Sequence, residues 1–76
     1  MLTQVLEHLV RGIVDNPDDV SVRSRGGNRG TTLEVRVNPE DLGRVIGRSG
    51  RTAKALRTVI GAIAGRDRVR VDLVEG

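Results

Sequence analysis

The sequence predicts an α+β domain of two layers, in the order αββααβ, with a three-stranded sheet covered on one face by three helices. Three observations carry that expectation. Apolar residues recur at helical spacing near the N-terminus, two alternating runs flank the glycine-rich stretch GGNRG, and a third alternating run follows two further helical stretches. Helices gathered on one face of a small sheet bury its apolar side and leave the other to solvent.

Leu2, Val5, Leu6, Leu9, Val10 and Ile13 fall at i, i+3, i+4, i+7, i+8 and i+11, the stripe of an amphipathic helix packed on one side. Asn16-Pro17 stops it. Asp19 to Arg25 alternates Val20 and Val22 with Ser21 and Arg23, and Thr32 to Val37 alternates Leu33, Val35 and Val37 with Glu34 and Arg36. These read as half-buried strands joined into a hairpin through Gly26 to Gly30. Asn38-Pro39-Glu40-Asp41 then supplies an N-cap, a first-position proline and two first-turn carboxylates. The short second helix that follows is expected to carry Leu42, Val45 and Ile46 inward and to end at Gly47. A third helix starts near Gly50, with Leu56, Val59, Ile60 and Ile63 as its inner stripe, and Gly61 and Gly65 loosen or end it. Arg68 to Val74 is the last strand, Val69, Val71 and Leu73 facing in. The opposite sheet face, with Arg23, Arg36, Arg68, Arg70 and Asp72, is left to solvent, and the three strands suit a mixed sheet.

A chain of 76 residues makes one small domain, 1–76, and neither a disulfide nor a zinc site reinforces it, because it has no Cys and a single His. Self-association is the remaining way to enlarge the core, and its candidate surface is the C-terminal half of the third helix around Ile60, Ala62 and Ile63, with Gly61 and Gly65. The net charge of +3 is modest, but its distribution is not. Residues 1–22 hold Arg11 against Glu7, Asp15, Asp18 and Asp19, whereas residues 23–76 hold 12 basic and 6 acidic groups. All the cations but Lys54 are Arg, which fits a coding bias toward Arg, Gly, Val and Ala as well as a need for guanidinium groups. The opening MLTQVLEHLVRGIVDN has no basic leader, and Glu7, His8 and Arg11 interrupt any apolar run, so a cytoplasmic protein with no membrane contact is expected. With no Phe, Tyr or Trp in the chain, base stacking on those rings is unavailable, which argues against an RRM or a cold-shock-type surface.

The densest chemistry lies in Val45 to Arg57, VIGRSGRTAKALR. Gly47 and Gly50 make a loop whose backbone another chain can approach closely, and its amides open the third helix, where free N–H groups and the helix dipole favour a phosphate. Arg44, Arg48, Arg51, Lys54 and Arg57 surround it, and no acid occurs from residue 42 to 66. Rival motifs fail on single letters. A Walker A loop needs Gly where Val45 stands and Lys where Arg51 stands, and a dinucleotide loop also fails at Val45. A nucleophile elbow around Ser49 lacks its last glycine, Arg51 taking that place, and the one His is distant, so no catalytic group is expected and no cofactor, metal or small-molecule substrate is implied.

Val45-Ile46-Gly47-Arg48-Ser49-Gly50 followed by a basic helix resembles the signature of KH domains, and the element order resembles their type II form. Taken over the whole chain, it resembles the small bacterial single-KH RNA-binding proteins of the KhpA type. The resemblance implies a non-enzymatic protein that clamps single-stranded RNA backbone, about four nucleotides of it, and acts as a broad post-transcriptional regulator or RNA chaperone. It also implies a homodimer, or a heteromer with a larger KH-containing protein. In that reading the RNA groove lies between the second helix, the loop and the third helix on one side, and the flanking strand and hairpin loop on the other. Gly47, Arg48, Ser49 and Gly50 hold the backbone, Val45 and Ile46 lie near the groove floor, and Gly26 to Gly30, with Arg29, form the variable loop.

Plainer readings stand beside these. The glycines suit a tight helix–helix corner, the cations suit a solvated face, Arg29 suits solubility, and His8 is a solvent-exposed polar residue. Ile46 is expected mostly in the core, with Val45 at its border. Two other classes stay open: a DNA-binding helix-turn-helix built from the second and third helices, and a dimerisation or adaptor module without nucleic-acid binding. Cations clustered at the turn weigh against the first. A loop free of acids weighs against the second.

Overall fold

The N-terminal stripe forms helix α1 (Leu2–Arg11) in the computed structural model, which describes residues 2–27, 30–65 and 67–75. Leu6 and Val10 are fully buried, and Leu2, Val5 and Leu9 pack partly against them. Gly12 follows the last helical residue, so the helix is shorter than its apolar stripe. Ile13 and Val14 still donate their amides to the Val10 carbonyl at 3.0 and 3.2 Å and pack on the core from the turn.

Pro17–Asp19 forms a 3-10 turn, so strand β1 (Ser21–Gly27) begins two residues later than the alternation suggests. It pairs antiparallel with β2 (Gly30–Val37), Val22 opposite Val35 and Ser24 opposite Leu33. The pairing continues to Gly27 opposite Gly30, so most of the glycine-rich stretch is strand; Arg29 lies outside the described residues. β3 (Val69–Glu75) adds on the other side of β2, parallel to it, with Leu33 beside Val71 and Val35 beside Leu73. The sheet is therefore mixed, in the order β1-β2-β3. Central β2 places Leu33, Val35 and Val37 in the core, as its alternation requires.

Asn38 caps the next segment, its Oδ1 accepting the Glu40 amide at 2.9 Å, and Pro39 opens a 3-10 turn (Pro39–Asp41) that leads into α2 (Leu42–Ile46). The Gly47–Gly50 loop connects α2 to α3 (Arg51–Ala64), and both helices pack beside β3. One core joins the layers: Leu6, Val10, Val20, Leu33, Val35, Val37, Val45, Leu56, Ile60 and Val71.

Two expectations about the helices are corrected. Val45 is fully buried whereas Ile46 is 38% exposed, the reverse of the expected order. Successive helical residues diverge by about 100°, so in a helix of five residues only one of this pair can face the sheet. On α3 the inner stripe is Ala53, Leu56 and Ile60, while Val59 and Ile63 are 43% and 52% exposed. Here no element among the described residues covers the second apolar row.

Candidate nucleic-acid interface

The entry to α2, the helix that leads into the Gly47–Gly50 loop, is anchored by Asp41. This carboxylate is buried, and it accepts hydrogen bonds from the Asp15 amide at 3.2 Å, the Asn16 amide at 3.0 Å and the Asn16 side-chain amide at 3.0 Å. Burial pushes its pKa up, but the Asn16 side-chain bond, the two backbone bonds and the nearby Arg44 guanidinium outweigh that and hold it below the ordinary carboxylate value. A further bond from the Asn38 side-chain amide to Asp19 at 3.0 Å ties the start of the α2 segment to the same turn. The entry to α2 is thereby fixed to the chain that follows α1. Sequence reading saw Asp41 only as a first-turn charge; a partner 25 residues away leaves no local signal.

The loop itself is a sequence of unusual backbone angles. Gly47 sits at φ 78°, ψ 170°, Ser49 at φ 56°, ψ 27°, and Gly50 at φ 75°, ψ 14°. The two glycines are needed for different reasons. A Cβ on Gly47 would lie 2.7 Å from both the Thr52 Cβ and the Thr52 amide nitrogen, so a side chain is excluded sterically as well as conformationally. A Cβ on Gly50 would meet nothing within 4 Å. Space is therefore open beside the first turn of α3, which has no side-chain cap; the Gly50 and Arg51 amides donate to the Gly47 and Arg48 carbonyls, so the amides left for a ligand are those that follow.

Arg48, Ser49, Arg51 and Lys54 are all exposed around this opening. Arg48, Arg51 and Lys54 have no ion-pair partner among the described residues. The remaining two cations are engaged. Arg44 pairs with Asp15 at 3.2 Å, both side chains more than half exposed, and such a pair is worth at most about 1 kcal/mol, little enough for a phosphate to displace. Arg57 donates its Nε to the Val71 carbonyl at 3.3 Å and so bridges α3 to β3.

Between these elements runs an open groove of about 470 Å³, lined by Ile46, Gly50, Ala53 and Arg57 on the helical side and Asp72, Leu73 and Val74 on β3. Ile46, rather than Val45, lines it. No described residue of the hairpin is in this lining. Gly26, Gly27 and Gly30 instead share a second depression, which meets the groove at Asp72, with Gly61, Gly65 and the start of β3. That places the hairpin toward the C-terminal end of α3, whereas the loop lies at its N-terminus, and 14 helical residues span roughly 21 Å. The β1–β2 hairpin lies there because β2 runs parallel to β3 with Thr31 beside Val69, which sets the Gly27–Gly30 end of the hairpin at the start of β3, away from Val74.

A sheet backed by three helices, with a Gly-x-x-Gly loop joining two of them beside an edge strand, defines a KH domain of type II order. The chain belongs to the KhpA/KhpB KH-domain family, whose model matches residues 3–74. It is 72% identical over 75 residues to a Streptomyces coelicolor protein named RNA-binding protein KhpA, covering 99% of this chain and 94% of that one. A Leifsonia xyli protein of the same name is 67% identical, with 99% of each chain covered. Another, from Halalkalibacterium halodurans, is 44% identical over 73 residues, covering 93% of this chain and 96% of its own.

Proposed function

We propose that this protein binds single-stranded RNA without chemistry, holding the sugar–phosphate backbone on the Gly47–Gly50 loop and laying the strand along the groove beside β3. One observation supports the reading: the open space at Gly50 adjoins the first turn of α3, which no side chain caps, with the exposed cations Arg48, Arg51 and Lys54 on the loop and that turn. Arg44 and Arg57 flank the same path and add to it once the strand arrives. The names of the relatives support the same function.

Without Phe, Tyr or Trp on which to stack a base, the affinity of one domain is modest. Low-affinity binding follows, and with it the role of a general post-transcriptional regulator or RNA chaperone in the cytoplasm. No helix among the described residues is long and apolar enough to cross a membrane. The partner protein is a second copy, or a larger KH-containing protein, received on the exposed row of α3.

The test is a titration with single-stranded RNA, duplex RNA and duplex DNA at two salt concentrations. For a strand just long enough to fill the groove, three or four neutralised phosphates give a log–log salt slope of roughly −2 to −3. Preference for single strands with that slope supports the proposal. A slope near zero, or a preference for duplex DNA, contradicts it.

A further inference from the structure

The sheet's open face carries a second set of arginines that the loop and groove do not use. Its outward positions form four successive rows across the strands. Arg36 stands in the first, with Ser21 and Val74; Arg23 in the second, with Glu34 and Asp72; Arg25 and Arg70 in the third, on either side of Thr32. Arg68 follows at the fourth, against Gly30, and its carbonyl accepts the Thr31 amide at 2.8 Å. Every row thus holds an arginine, and rows on one face recur about every 6.7 Å, for a track of roughly 20 Å.

Both acids of this face fall in the second row, and each is tied to a third-row arginine: Arg25 to Glu34 at 3.4 Å and Arg70 to Asp72 at 3.3 Å. Arg23, Arg36 and Arg68 are exposed and have no ion-pair partner among the described residues. The face is also continuous with the groove. Asp72 lines both the groove and an open depression of about 780 Å³ that spans Arg25, Thr32, Glu34, Arg68 and Arg70.

We infer that the open sheet face is a second phosphate track, which receives the same RNA strand after it leaves the groove around the edge of β3. This rests on the RNA binding proposed above. The occupant is a polyanion because five arginines against the two strand carboxylates, with Asp67 at the rim, match a repeating negative charge, and Val74 is the one apolar side chain at the outward strand positions described. The protein's RNA footprint is then longer than the four or so nucleotides a KH loop holds.

The experiment compares single-stranded RNAs of 5 and 16 nucleotides on the full chain and on Arg23→Gln/Arg36→Gln/Arg68→Gln, following amide shifts and the salt slope, with Arg→Lys at the same positions as the charge-retaining control. The parent should bind the longer strand with a slope about two units steeper than the shorter one, since each phosphate contact on a single strand contributes about 0.7. The glutamine variant should lose that difference while binding the shorter strand as the parent does, and the lysine variant should retain it. Equal slopes for both lengths on the parent, with the short strand still bound, would overturn the second track and leave the loop site standing. Failure of the parent to bind either strand would overturn both. A variant whose RNA slopes are unchanged but whose sedimentation shifts would assign the face instead to the acidic N-terminal segment of another copy, and so against this inference.

Discussion

At the residue scale the two glycines of the loop separate a structural demand from a functional one. Gly47→Ala brings a methyl group onto Thr52 as well as forcing a positive φ, whereas Gly50→Ala suffers only the φ penalty of about 1–2 kcal/mol. With roughly 4–8 °C lost per kcal/mol in a domain this small, Gly50→Ala should melt some degrees lower and remain folded, and Gly47→Ala should lose clearly more. Equal losses in a thermal melt would show that the loop is packed alike at both ends. Asp41 makes the second residue-scale prediction. Its folded pKa is depressed, so its contribution to stability is present above the unfolded value near 3.9 and is lost as pH falls through the folded value. Asp41→Asn should therefore melt lower than the parent at neutral pH, and the gap should narrow on acidification below about pH 4. A gap that stays constant across that range would place the carboxylate's role elsewhere.

At the scale of elements, α3 has two apolar rows and the described residues cover only one. Ala53, Leu56 and Ile60 are buried, so Ile60, an expected interface residue, is taken up by the core; the free row is Val59 and Ile63, with exposed Ala62 beside them. Burying each half-exposed side chain against another protein contributes roughly 1 kcal/mol. Sedimentation should show self-association of the parent, and Val59→Glu/Ile63→Glu should shift it to monomer with RNA binding by the loop intact; a strict monomer at high concentration would refute this. The same helix shows where sequence reading reaches its limit. Period and punctuation located every element, and Leu33, Val35 and Val37 faced inward as their alternation required, because β2 is buried by its neighbours on both sides. Which of two adjacent apolar rows on α3 is covered, and whether Val45 or Ile46 faces the sheet, depends on how the helices roll against the core, and nothing local records that. The loop was legible because its chemistry is contiguous. The flanking strand was expected through the family resemblance alone; that Asp72, Leu73 and Val74 line the groove has no local signal, since β3 meets it from across the fold.

At the scale of the whole molecule, charge and shape point the same way. Four of the ten acids lie in the N-terminal third, and the bonds of Asp15 and Asn16 to Asp41 and Arg44 tie the turn after α1 to the start of α2. The stretch from Leu42 to Ala64 has no acid, Asp72 of β3 being the one acid in the groove lining described. The central claim is that the Gly47–Gly50 loop is a backbone clamp and not merely a corner. Arg48→Asp with Ser49→Asp tests it most directly. Both side chains are exposed, Ser49 already occupies the left-handed region that Asp tolerates better than most residues, and acids near a helix N-terminus are neutral or mildly stabilising. The melting temperature should hardly move. Two carboxylates at the mouth of the amides would repel the phosphate they receive, so binding of a groove-length single-stranded RNA should fall to background while the fold persists. A folded double variant that binds that RNA as tightly as the parent would contradict the clamp.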